Sequence, residues 1–232
     1  MQQLPIYVSM LFILTTILTM GIFYFAANKS KKVLFISVIW LIIQLTISLT
    51  GFYTITNTLP PRFILLIGPP LILIAILFIT KSGRKFLDTF QLKLLTYLHI
   101  IRIPVETTLF LLFLNNLLPE LMTFEGRNPD ILSGITAPIV AFIVFRKKPI
   151  SKTFLLVWNF VCLVLLLNIV GHAVLSTPTT FQKLAFDQPN VAILYFPFVW
   201  LPSFLVPLVL LSHLTSIRKI IIDIRAKKRA VV

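Results

Sequence analysis

Residues 154–175 read FLLVWNFVCLVLLLNIVGHAVL, twenty-two consecutive positions without a Lys, Arg, Asp or Glu. A helix rises about 1.5 Å per residue, so roughly 20 such residues cover the roughly 30 Å of hydrocarbon in a bilayer. Six further stretches are predominantly apolar: Leu4–Ala27, Val33–Tyr53, Phe63–Thr80, Leu94–Leu118, Ile131–Phe145 and Val191–Ile217, all free of Lys, Arg, Asp and Glu except Leu94–Leu118, which holds Arg102 and Glu106. The expected fold is therefore all-α, an integral membrane protein of seven transmembrane helices. The whole chain, 1–232, forms one polytopic domain with a basic tail over 218–232. The fifth span is short and calls for a thinned bilayer or polar ends. The first lacks the basic flank and small-residue cleavage site of a signal peptide.

Composition agrees. Of 232 residues, 58% are apolar and 12% charged, with a mean hydropathy of +0.99. Soluble domains carry about twice that share of charge. A soluble enzyme, a disordered chain and a secreted disulfide scaffold are thereby excluded. The one cysteine, Cys162, has no partner for an internal disulfide, and no Cys/His spacing suggests a metal.

The net charge of +14 is distributed by side. Seventeen of the 21 Lys and Arg fall in alternate connections: Lys29 to Lys32, Lys81 to Lys93, Arg146 to Lys152, and the tail from Arg218 to Arg229. The other connections hold Arg62, Arg127 and Lys183, and Arg102 lies inside a span. Lys and Arg accumulate on cytoplasmic loops. The N-terminus is expected outside and the C-terminus in the cytoplasm, in an inner or plasma membrane. The basic excess is topological, and no nucleic-acid partner is expected. In the tail, Ile217, Ile220, Ile221 and Ile224 recur at helical spacing beside Arg218, Arg225 and Lys228. That pattern fits either a helix lying on anionic lipid or a basic stop after the last span.

Two stretches align without gaps, Lys32 to Gly51 and Lys152 to Gly171, each followed by a span rich in proline. Spans 1–3 and 5–7 are then parallel repeats around span 4. In architecture only, this three-plus-one-plus-three plan resembles sugar-transporting SWEET proteins and vitamin transporters of the PnuC type. The proline-glutamine motif of the first and the tryptophan-rich motif of the second are absent here. The seven-span hydrolases of the ceramidase and adiponectin-receptor type resemble the chain in span count. Their HxxxH pair is missing around His213.

Span 4 holds the costly residues. His99, Arg102 and Glu106 stand at i, i+3 and i+7 on one helical face. Counted from Leu94, they lie about 7, 12 and 18 Å into the membrane. A charge at the centre costs about 2.5–3.5 kcal/mol on insertion scales unless paired or hydrated. Arg102 is expected to pair with Glu106. Pro104 between them has no N–H for the Ile100 carbonyl and predicts a kink. His213, about 6 Å from its inner end, is level with His99, while His172 lies about 27 Å from that face. Three imidazoles so separated do not form a zinc site.

Residues 119–130 add Glu120, Glu125, Arg127, Asn128 and Asp130, and the connection before span 7 adds Asp187. With Asn168 and His172 at the outer end of span 6, these suggest an outer polar vestibule leading towards Glu106. No phosphate-binding glycine loop, HExxH or GxSxG is present. The leading expectation is a transporter or channel for a small polar or ionic solute, its pathway running through His99, Arg102, Glu106, Asn168, His172 and His213. The alternative is a membrane-embedded enzyme acting on a lipid or isoprenoid through His99, Arg102 and Glu106. The residues name no cofactor.

Overall fold

A computed structural model describes residues 4–146 and 151–229, with side chains as far as 226. Lys147, Lys148 and residues 230–232 lie outside the described residues, as do the side chains of Lys227, Lys228 and Arg229. The described residues contain helices and turns and no strand. The helices are α1 (Ile6–Ala26), α2 (Lys31–Leu49), α3 (Ile64–Ile79), α4 (Lys81–Asp88), α5 (Leu92–Leu98), α6 (Arg102–Leu114), α7 (Ile131–Phe145), α8 (Lys152–Ser176) and α9 (Val206–Arg229). A 3₁₀ turn, His99–Ile101, joins α5 to α6, so the two form one rod over Leu92–Leu114.

Five helical stretches are long and apolar enough to cross a membrane, and six are if α3 and α4 count as one broken span. They are α1, α2, the α5–α6 rod, α8 and Leu201–Ala226. α7 is apolar but only 15 residues long. The α5–α6 rod and α9 are the most enclosed, half or more of each being buried. α1, α7 and α9 all pack on the α5–α6 rod, and α8 packs along α9. α2 stands at the edge, packed on α1 and on the turn that follows it.

The breaks follow from proline and glycine. Pro104 deprives the Ile100 carbonyl of its helical donor, and the turn just before it tightens to 3₁₀. The expected seventh span begins later than Val191: Ala192–Leu194 is a 3₁₀ turn and a π-helical turn occupies Leu201–Leu205 before α9. Pro197 and Pro202 keep this segment from running as regular α-helix. Pro207 leaves the Ser203 carbonyl without its α-helical donor, and the indole of Trp40 in α2 donates to it at 2.8 Å. The Trp200 indole donates to the Leu41 carbonyl at 3.0 Å, so two tryptophans clasp α2 to the π turn.

The two glycines of the aligned stretches do different work. Gly51 ends its helix with φ +72°, whereas Gly171 sits inside α8.

α4 leaves α3 at 93°. Thr80 caps it, accepting at Oγ1 from the Gly83 N–H at 3.1 Å. A Cβ on Gly83 would stand 2.4 Å from the Leu77 carbonyl oxygen. Gly83→Ala is expected to cost about 1–3 kcal/mol through overpacking against backbone that cannot yield. Thermal unfolding in detergent reads it as a lowered midpoint.

At the basic end, Arg218 donates to both Asp88 carboxylate oxygens at 3.1 and 3.0 Å, and Lys219 Nζ donates to the Asp88 and Phe90 carbonyls. Lys152 pairs with Asp223. Ile217 and Ile220 of the tail are buried against the protein, Ile220 in a cluster with residues of α7 and α8.

Candidate functional site

α6 begins at Arg102, and its guanidinium is buried where α6, α7, α8 and α9 meet. Arg102 pairs with Asp130, which precedes α7. The expected pair with Glu106 is not made. Helical side chains lean towards the N-terminus, so an arginine four residues before a glutamate points away from it. Glu106 instead accepts from the Asn128 amide at 2.6 Å.

The remaining contacts join these groups into a chain. Asn128 Nδ2 also donates to the Met122 carbonyl at 3.0 Å, and its Oδ1 accepts from the Asp130 N–H at 3.1 Å. Ser133 Oγ donates to Asp130 at 3.4 Å. A second guanidinium nitrogen of Arg102 stands 3.0 Å from His213 Nε2, and His213 Nδ1 stands 2.9 Å from Asn159 Oδ1. Asn159 donates its own Nδ2 to the Leu155 carbonyl at 2.8 Å. That bond turns Oδ1 towards the imidazole, so His213 donates from Nδ1 and accepts from Arg102 at Nε2. Each charged or polar side chain in this chain is 3% exposed or less.

His99 stacks on His213, with ring centroids 3.9 Å apart and planes 18° apart. Trp158 meets the His99 ring edge-on at 5.5 Å, its own Nε1 donating to Thr136 Oγ1 at 3.0 Å. Neither ring nitrogen of the buried His99 has a hydrogen-bond partner among the described residues. Among the described residues, no three His, Cys, Asp or Glu side chains converge as metal ligands.

α7 comes this close because residue 134 is glycine. A Cβ there would lie 2.9 Å from Ile103 Cγ1 and 3.0 Å from the Ile103 nitrogen.

The polar residues of the outer connections divide. Asn128 and Asp130 are buried in the chain just described, whereas Glu120, Glu125, Arg127 and Asp187 are exposed. Asn168 donates to the Arg127 carbonyl at 2.9 Å and so ties α8 to the loop. His172 is half-buried away from the other two histidines. A cavity of about 80 Å³ reaches Arg102, Glu106 and Asp130 between α3, α6, α8 and the π turn. Apart from these three, its walls are almost wholly apolar, Ile67, Leu109, Met122, Leu166 and Val170 among them. A water occupies about 30 Å³ of liquid, so the space admits two or three waters or a short length of hydrocarbon.

Asn159, Ser133 and Trp158 belong to this site and were not singled out by the sequence reading. Asn159 left a usable signal, a polar amide within the charge-free run 154–175.

The family described as Domain of unknown function (DUF8737) matches residues 59–221, more than two thirds of the chain. The chain belongs to this family. Every residue of the buried polar chain, and both stacked histidines, lie inside the matched stretch, while α1 and α2 precede it. No curated protein and no solved structure matches the chain.

Proposed function

We propose that the protein is a membrane-embedded enzyme that takes the head and the adjoining short length of hydrocarbon of an amphipathic, lipid-like molecule into the cavity against Arg102, Glu106 and Asp130. The observation that carries this reading is the composition of that cavity: apolar walls around one charged patch. Hydrocarbon is at home against such walls, and a hydrated ion is not. Arg102 supplies a fixed cation for a phosphate or carboxylate head. Glu106, held by the neutral Asn128 amide rather than by a countercharge, is the group to give or take a proton. The patch holds one guanidinium and two carboxyls, of which only Asp130 pairs with Arg102, so its charge balances when one proton is bound. The gathering of His99, Arg102, Glu106, Asp130 and His213 at one place also favours a site over a pathway.

In this reading the chain crosses the membrane seven times, with α3 and α7 as short spans, and the basic connections face the cytoplasm. The alternation of Lys and Arg supports that orientation, as does α4, whose 93° turn suits a helix lying in the interface on the basic side. The tail's remaining basic residues then stand near anionic lipid.

A carrier for a small solute is the second reading. It is favoured by two irregular stretches, His99–Ile101 and Leu201–Leu205, both of which border the cavity. Broken helices within a membrane line cavities and carry transporter sites.

The test is to incubate the purified protein with a total extract of membrane lipid and follow each lipid class by mass spectrometry. Consumption of one class with appearance of a product is expected. An unchanged lipid profile, with solute flux in proteoliposomes, would overturn the enzyme reading and establish the carrier.

A further inference from the structure

A second and larger cavity lies on the opposite side of α9. It is a groove of about 580 Å³ between α2, α3 and α9, distinct from the Arg102 site. Ile36, Trp40, Leu73, Leu77, Phe86 and Leu208 line it. α2 and α3 do not pack against each other along it, because the Trp40 and Trp200 bonds hold α2 to the π turn instead.

The groove has a polar end. Ser30 and Lys32 mark its mouth, and from Lys32 to Ile43 it follows α2 for eleven residue-to-residue steps. At about 1.5 Å per residue that is about 16 Å, half of the hydrocarbon thickness and so one leaflet deep. α4 turns away from α3 at the same end, and its Phe86 forms part of the groove. Lys32 at this mouth is exposed and makes no ion pair among the described residues, and the same holds of its chain neighbour Lys31 and of Lys81 and Lys85 in α4. The nearby carboxylate of α4, Asp88, is taken by Arg218.

We propose that the groove holds an acyl chain of an anionic phospholipid from the leaflet that faces the basic connections, with the headgroup phosphate against Lys32. The apolar walls match the chain, the depth matches one leaflet, and the unpaired lysines match the headgroup charge. The groove and the Arg102 cavity share α9 as a wall, Leu208 on one side and Val209 on the other.

Trp40 provides the readout. The protein is placed in phosphatidylcholine vesicles in which one tenth of the lipid, either phosphatidylglycerol or phosphatidylcholine, carries brominated chains. Bromine quenches tryptophan on contact. Brominated phosphatidylglycerol is expected to be enriched about fivefold over brominated phosphatidylcholine at Trp40, the preference that one lysine near the surface provides. Lys32→Glu, an exposed change outside the helix packing, should abolish the difference. Trp40→Phe should remove the quenching that differs between the two lipids. Equal quenching by both lipids in the wild type would overturn the proposal. So would a preference that survives Lys32→Glu, or one that survives Trp40→Phe and hence reports another tryptophan.

Discussion

Asp130→Asn is expected to destabilise the protein by about 3–5 kcal/mol, the cost of breaking a buried ion pair from one side. Arg102 is 2% exposed, and Asp130 is the carboxylate it pairs with. Its other partners, the Cys162 carbonyl at 3.4 Å and His213, are neutral acceptors. They orient the guanidinium but do not balance its charge. Arg102→Met strands Asp130 in the same way. The double variant Arg102→Met/Asp130→Leu should lose less than the sum of the single losses, since replacing a buried pair by apolar groups is often close to neutral. Unfolding in mixed micelles of the wild type, Arg102→Met, Asp130→Leu and the double variant measures the four corners of the cycle. Additive losses would mean that the two groups do not interact.

Glu106→Gln should do the reverse, leaving stability nearly intact while removing activity. The Gln carbonyl can still accept from the Asn128 amide, and the Arg102–Asp130 pair is untouched. What disappears is a group able to exchange a proton. Loss of a general acid or base typically lowers the rate by about 10²–10⁴-fold. The expected result is therefore an unchanged unfolding midpoint with turnover of the consumed lipid class down by at least about a hundredfold. Full activity in Glu106→Gln would remove Glu106 from the chemistry. A collapsed midpoint would make it a packing residue.

The contrast between these two variants reflects how far the sequence could be read. Charge-free runs such as 154–175 declare membrane helices because only helical backbone satisfies itself in hydrocarbon. Helical rise alone put His99 and His213 at one depth, and their rings stack at 3.9 Å. The pairing of Arg102 was not legible. Spacing tells which residues share a face, but a long side chain chooses among partners from every neighbouring helix. Asp130, in a loop that reads as part of an outer polar vestibule, presents its carboxylate to Arg102 because Gly134 lets α7 approach Ile103 closely. The same loop buries Asn128 while Glu125, three positions before it, and the adjacent Arg127 stay exposed, a division set by tertiary packing alone. Asn159 is legible only as a polar amide in the charge-free run 154–175.

The start of the last span was lost to proline. Pro197, Pro202 and Pro207 lie within an apolar stretch that hydropathy scores as continuous. Their missing N–H groups instead leave irregular backbone beside the cavity, and Trp40 and Trp200 fasten it to α2.

The nature of the cavity is tested most directly by a cysteine placed at Val170, on its wall, in a chain whose Cys162 is replaced by Ala. Intact vesicles or cells are treated with a charged, membrane-impermeant maleimide or with a hydrophobic one. Labelling by the hydrophobic reagent and not by the charged one is the expected result for a site entered from the bilayer. Rapid labelling by the charged reagent from the outer face would show a water-filled route to Glu106 and contradict a site built for a lipid-like molecule.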